Sequence, residues 1–261
     1  MKQLIVNADD FGFTRDVNAG IVECYRNGIL TATTLMATGE AFDDAVRLSR
    51  ENPGLDIGCH LVLVGSPGLP STVGQLVWAV ARGRIRIYEE LVKQVRAILD
   101  VGLCPTHLDT HKHTHLLPPV LDAVARLSEE FAIPWVRRPF DFPVQATGVG
   151  LGKRIVSRSL GVMRRRFHRV LAMHHCRTTD HFAGFRITGR YDAAELSRLI
   201  AQLPEGTTEF MCHPGYCGDE LQAASTRLKA SRERELQALT SLEVKAALRG
   251  SQVRLTNYVS I

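Results

Sequence analysis

Short apolar runs alternate with longer amphipathic stretches along most of the chain, and polar residues cluster where the apolar runs end. Leu4-Ile5-Val6-Asn7-Ala8 predicts a buried strand whose C-terminal end carries Asp9-Asp10-Phe11-Gly12. Asp16 can cap a helix through about Asn27, Gly28 stops it, and Ile29 to Met36 reads as the next strand. A helix from about Glu40 to Arg50 ends before Asn52-Pro53-Gly54, and Leu55 to Leu61 gives a third strand with His60 toward its end. Past a Gly/Pro loop at Gly65 to Pro70, helices are predicted at Val73 to Arg82 and Tyr88 to Val101, then a strand and loop from Thr106 to His115. Pro118-Pro119 opens a helix through Glu130, and Ile133 to Val136 is the next strand. The later elements are a helix near Ala193 to Gln202, a strand Thr208 to Cys212 ending at His213-Pro214-Gly215, a helix at about Arg232 to Arg249 and a last strand Val253 to Leu255. Repeated strand-helix units with polar strand ends predict an α/β fold, either a barrel or a doubly wound sheet.

Composition narrows the class without choosing the chemistry. The 261 residues are 45% hydrophobic and 23% charged, with a mean hydropathy of -0.03, which excludes both a disordered chain and a string of membrane spans. The length suits one domain running from 1 to 261. Met1-Lys2-Gln3 leads straight into the first strand without the apolar stretch and cleavage site of a secretory signal, so a cytoplasmic location is expected. The six cysteines include no CxxC pair and are expected to be reduced thiols. Trp78 and Trp135 are expected to pack within helices or the barrel.

The net charge of +5 permits a nucleic-acid partner until its location is considered. Between Phe142 and Thr179 there are eight basic residues, Lys153, Arg154, Arg158, Arg164, Arg165, Arg166, Arg169 and Arg177, and no acid. Without those eight, 24 basic residues face 27 acidic ones, so the rest of the protein is net -3. Within this 142–179 insertion, Ile155, Val156, Leu160, Val162, Met163, Phe167, Val170 and Leu171 alternate with the arginines, predicting short amphipathic helices. Such a surface could receive a lipid tail or meet anionic headgroups, or it could be a solvated helical hairpin or a homodimer contact. No aromatic interleaving or recognised motif supports nucleic acid.

The ten histidines are unevenly placed: His107, His111, His113 and His115 fall within nine residues, together with Asp109. That density supplies nitrogen and oxygen ligands plus the acceptors that orient ligand imidazoles, although a solvated alternating strand could also hold it. His60 and His213 stand at other strand ends, and the Asp9-Asp10 pair at another could otherwise merely begin a loop. The most economical site is one divalent ion held by Asp10, His60 and His111, with open positions for water and substrate. Asp9 can then accept a proton from the attacking water, and His213 can protonate a departing amine. Arg137 and Arg138 follow a strand and could fix Asp9 or bind substrate hydroxyls. Asp180, His181 and Phe182 are candidates for a substrate wall, with Phe182 or Phe185 over one face of the substrate.

Four segments taken together, Asn7 to Gly12, Gly58-Cys59-His60-Leu61, Thr106 to His113 and Met211-Cys212-His213-Pro214, resemble the YdjC/ChbG-like carbohydrate deacetylase family over nearly the whole chain. The resemblance implies a distorted (β/α) barrel related to the NodB-like polysaccharide deacetylases, which removes acetyl groups from acetylated amino sugars with a divalent metal. By that resemblance Asp10, His60 and His111 match the ligands, Asp9 the base and His213 the acid, with His107, Asp109 and His113 in the surrounding shell or substrate wall. Mixed His/carboxylate ligation admits Zn2+ or Mg2+; imidazole leans toward zinc, whereas magnesium is commonly assigned in the family. Asn7 to Phe13, Arg137-Arg138-Pro139-Phe140 and Asp180 to Phe185 further resemble the hopanoid-biosynthesis-associated branch (HpnK), which implies an N-acetylglucosaminyl bacteriohopane lipid as substrate and a peripheral position at the inner face of the membrane. The alternatives are a deacetylase of soluble oligosaccharides such as diacetylchitobiose, and a noncatalytic metal-containing sugar- or lipid-binding protein.

Overall fold

The computed structural model describes residues 1–142 and 164–261. Its centre is β1 (Lys2–Phe11), buried on both faces, as expected of a nearly continuous apolar run inside a parallel sheet. Around it lie β2 (Ala32–Leu35), β3 (Asp56–Leu61), β4 (His107–Thr110), β5 (Trp135–Val136), β6 (His181–Ala183), β7 (Gly206–Cys212) and β8 (Val253–Leu255). Every pairing is parallel, and the order β5-β4-β3-β2-β1-β7-β6 runs round in chain sequence with no reversal. A doubly wound sheet would reverse its order at a switch point, so the architecture is the barrel alternative. It is distorted in two places. β8 pairs with Lys2–Leu4 on the edge of β1 that β2 occupies higher up, instead of standing between β7 and β1. Among the described residues, the segments around the edge strands β5 and β6 are joined by isolated bridges, Trp135 with Arg177 and Asp141 with Phe182, not by a ladder.

Helices α1 (Arg15–Asn27), α2 (Phe42–Glu51), α3 (Val73–Ala81), α4 (Ile87–Asp100) and α5 (Pro118–Glu130) fill the crossovers of the first half. They are followed by α6, described over 164–173, then α7 (Ala193–Ala201), α8 (Asp219–Ala223), α9 (Ala230–Thr240) and α10 (Leu242–Gly250). The cap of α1 is Thr14, whose Oγ1 accepts from the Val17 amide at 3.2 Å; Asp16 instead accepts from Leu221 N at 2.9 Å. The single late helix expected at Arg232–Arg249 is two, because Ser241 turns its hydroxyl to the Val244 amide and caps a new start. β2 is shorter than the Ile29–Met36 run, and β6 and α8 were not anticipated.

All six cysteines are free thiols. No helix among the described residues is long and apolar enough to cross a membrane. The described part of the basic segment, α6, turns Phe167, Val170 and Leu171 into the main core and leaves Arg164, Arg165, Arg166 and Arg169 outside. Those three side chains are therefore already covered, while Met173 at the end of the helix is exposed; residues 153–163 of the predicted amphipathic stretch lie outside the described residues.

Candidate metal and acid-base site

Between Ala8, opposite Thr33, and Phe11, opposite Leu35, β1 advances three residues while β2 advances two. The extra residue makes a bulge, with Asp10 in the left-handed region at φ 72°, a conformation that aspartate tolerates better than most side chains. Consecutive strand residues would point to opposite faces; the bulge turns both Asp9 and Asp10 into the strand-end site. The Asn18 carboxamide of α1 accepts from Gly12 N at 2.6 Å and fixes the exit of that turn.

Asp10 Oδ1 lies 3.3 Å from His60 Nε2 and 3.4 Å from His111 Nδ1, and those two nitrogens are 3.3 Å apart. His60 is aimed by its other nitrogen, Nδ1 donating to Asp109 Oδ1 at 2.6 Å from the register-paired residue on β4. Thr34 Oγ1 donates to Asp109 Oδ2 at 3.0 Å and keeps that carboxylate in place. A carboxylate orienting an imidazole in this way is what metal-binding histidines use. Asp10 Oδ1 is buried without a hydrogen-bond partner, and three donors at this spacing fit one divalent ion with further positions open. Burial would raise the Asp10 pKa, but Arg232 on its second oxygen and the two imidazoles hold it well below the usual carboxylate range. His60, although burial opposes its charge, is pushed up to about 10 by Asp109, Asp10 and Asp9.

Beside this trio stands a buried charge network centred on Arg137. Its Nη1 and Nη2 donate to Asp9 at 2.8 and 2.7 Å, its Nε donates to Glu209 at 2.6 Å, and Asp109 Oδ2 is 2.7 Å from Nη1. Burial raises the Asp9 pKa, yet Arg137 outweighs it and keeps the carboxyl ionised far below its ordinary range. Glu209, more burdened by burial and by the neighbouring carboxylates, is pushed up to about 7. His213, on the loop after β7, brings Nε2 to 3.8 Å from Asp9 Oδ2. Burial lowers its pKa, so it rests neutral near pH 7. Its backbone N–H is held by Glu235 at 2.6 Å.

Asp9, Asp10, His60, His111, Asp109, Arg137 and His213 thus meet at one end of the sheet. His113, also in the left-handed region, stands at the site's edge, 5.4 Å from the Phe185 ring and 6.0 Å from Phe182. The remaining expectations need correction. Of the two places expected for His107, the structure has it behind the site and not in a wall: it is buried lower in the barrel, stacked on Tyr258 at 3.9 Å and within hydrogen-bond reach of Asn7 at 3.0 Å, and Asn7 in turn reaches Asp9 at 3.5 Å. Arg138 donates to the Asp180 backbone carbonyl rather than facing the site. Asp180 accepts from Thr207 N, and His181 pairs with Thr208 toward the N-terminal end of β7, so both lie away from the trio at the strand ends. Phe182 is fully buried beneath Arg137, which leaves half-buried Phe185 as the accessible aromatic. Sequence reasoning missed Thr34, Glu209, Arg232 and Glu235. Glu209, an acid in an otherwise buried strand, was the one detectable signal; Arg232 and Glu235 sit in a run of charges that reads like any solvated helix face.

A parallel barrel whose strand ends gather a histidine-carboxylate trio able to hold a divalent ion, an ionised aspartate and a neutral histidine has the makings of a hydrolase. The YdjC-like protein family matches residues 3–250, and the chain belongs to that family. It is 32% identical to a carbohydrate deacetylase of Thermoanaerobacter pseudethanolicus, over 99% of this chain and 98% of that one. It is 34% identical to a chitooligosaccharide deacetylase of Klebsiella pneumoniae, with 98% of each covered. A crystal structure from Enterococcus faecalis, described as a candidate cellobiose-phosphate cleavage protein, superposes with a TM-score of 0.77 at 27% identity, covering 99% of this chain and 98% of that one.

Proposed function

We propose that the whole chain is one divalent-metal-dependent deacetylase domain that hydrolyses the acetamide of an N-acetylated amino sugar. The observation that carries this reading is the trio Asp10 Oδ1, His60 Nε2 and His111 Nδ1 at 3.3 to 3.4 Å, with Asp9 and His213 beside it. A cation held there would polarise the acetyl carbonyl and ease deprotonation of the attacking water. Asp9 receives that proton only in passing, because Arg137 makes its carboxylate a weak base. The proton comes to rest on neutral His213, whose imidazolium Asp9 then stabilises across 3.8 Å. As the C–N bond breaks, His213 gives the proton to the sugar nitrogen, and acetate and the free amine leave. Phe185 and His113 offer a wall for the sugar or the acetyl methyl group. A binding protein would have no use for the Asp9-His213 pair.

Two substrates of this class fit. A soluble chitooligosaccharide is supported by the names of the relatives. An N-acetylglucosaminyl bacteriohopane lipid is supported by the resemblance at residues 7–13, 137–140 and 180–185, and by the acid-free basic segment. In the fold, Arg138 and Asp180 to Phe185 help to join β5 to β6, so most of that resemblance concerns barrel closure. For the metal, two imidazoles favour zinc over magnesium. The deciding experiment is mass spectrometry of the purified enzyme with diacetylchitobiose and with the acetylglucosaminyl hopanoid, with and without chelator. Loss of an acetyl mass from either, abolished by chelator and restored by Zn2+ or Mg2+, is expected. Turnover that ignores the chelator would refute the metal-dependent reading.

A further inference from the structure

α3 has an unusual composition for its position. Val73 to Ala81 carries no charged side chain, and a helix that is apolar all round is normally covered on every side. Val73, Leu76 and Val80 do pack onto the core, but Val77 and Trp78 stand 46% and 45% exposed, against the expectation that both tryptophans pack inside. Arg82 and Arg84 follow directly, their guanidinium carbons 4.1 and 4.5 Å from the centre of the Trp78 ring. Arg86 pairs with Glu89, whereas Arg82 and Arg84 face no carboxylate among the described residues. From Ile57 to Tyr88 the chain contains no Asp or Glu. The loop leading into α3 leaves β3 on the site's side of the barrel, where Ser66 meets Thr38 at 3.1 Å.

We propose that this surface docks the protein on an anionic lipid membrane, with Val77 and Trp78 entering the headgroup boundary and Arg82 and Arg84 meeting lipid phosphates. An apolar patch with an interfacial tryptophan, flanking arginines and no acid is complementary to such a surface. A symmetric contact with a second copy is disfavoured by the same charges, because it would oppose arginines to arginines with no acid on either side. α6 adds exposed cationic charge, with Met173 as its one large exposed apolar side chain among the described residues.

The test uses the full chain with vesicles of phosphatidylcholine alone and of phosphatidylcholine mixed with phosphatidylglycerol. Cosedimentation with the anionic vesicles at low salt, weakening as salt is raised, is expected. A blue shift of tryptophan emission should persist in Trp135→Phe and vanish in Trp78→Phe, since Trp135 is already buried. The double variant Arg82→Gln/Arg84→Gln should bind about tenfold or more weakly. Val77→Ser/Trp78→Ser should bind as poorly while keeping its circular dichroism and its urea midpoint. No binding to anionic vesicles, binding that these variants leave intact, or a concentration-dependent dimer dissolved by Trp78→Ser would each overturn the proposal. The vesicles carry no amino sugar, so the outcome is separate from whether the enzyme deacetylates one.

Discussion

Asp10 divides its work between two oxygens: Oδ1 faces the two imidazoles, and Oδ2 is held by Arg232 from α9. Three residues on, Glu235 accepts from His213 N at 2.6 Å, from Gly189 N at 2.7 Å and from the Tyr191 hydroxyl at 3.0 Å. One helix therefore sets Asp10 and His213 relative to each other. Replacing Arg232 with Gln frees the carboxylate to rotate, and calorimetry should show metal affinity falling by about tenfold or more, as for other outer partners of ligands. Glu235→Gln should leave metal affinity unchanged and lower kcat, because it touches only the His213 side; equal metal affinities in both variants would contradict this division. Asp9→Asn should retain metal and lose about two to four orders of magnitude in kcat, the usual worth of a positioned proton-transfer group. His60→Ala should lose the metal itself.

The motif Gly58-Cys59-His60-Leu61 shows how elements, rather than single residues, build the site. A Cβ on Gly58 would lie 2.5 Å from the His107 ring, so β3 can carry His60 beside β4 only if this position has no side chain. Gly58→Ala should cost about 1 to 3 kcal/mol in urea unfolding, the range for overpacking a close-packed interior. β4 and its turn also bury histidines uncharged. Burial and the Arg137 charge lower His115 from 6.5 to about 3 and push His107 well below its ordinary value. Between those values the unfolded chain binds protons that the folded chain refuses. Stability is therefore complete above about pH 6.5 and lost as pH falls through that window, by up to about 1.4 kcal/mol per pH unit for each histidine. His60, raised to about 10, has the opposite sign but acts above 6.5; Glu209, raised to about 7, has the opposite sign inside the window and offsets about one histidine, so the two histidines still leave a net loss. A urea midpoint that stayed level from about pH 6.5 to about pH 5 would show that these histidines are not buried neutral. The strands that carry the site were legible because each is a buried run ending in a polar residue. β6 was not, since three residues show no period, and neither was the α9–α10 boundary, where Ser241 interrupts a continuous helical pattern without a glycine or proline.

At the scale of the whole barrel, the least secured place is the join between its edge strands, which have two and three residues. Two backbone bonds link the β5 segment to Arg177, and Phe142 N donates to Phe182 O at 2.9 Å. Arg138 reaches the Asp180 carbonyl across the same join. Asp141 contributes most from one side chain: its oxygens accept from Phe185 N at 3.2 Å and Arg186 N at 2.8 Å, turning the chain so that Phe185 comes up beside His113. Backbone bonds to a charged acceptor are worth about 1.5 to 3 kcal/mol, and both would go together in Asp141→Ala. That variant should lower the urea midpoint clearly, whereas Asp122→Ala, which removes only the exposed pair with Arg166, should shift it by less than about 0.5 kcal/mol. Because the metal trio and His213 hang from β1, β3, the turn after β4 and the loop after β7, opening the β5–β6 join should leave metal affinity and kcat nearly intact. KM should rise instead, through displacement of Phe185. A loss of metal affinity in Asp141→Ala equal to that of His60→Ala would mean that the closure supports the ligand set as well as the wall.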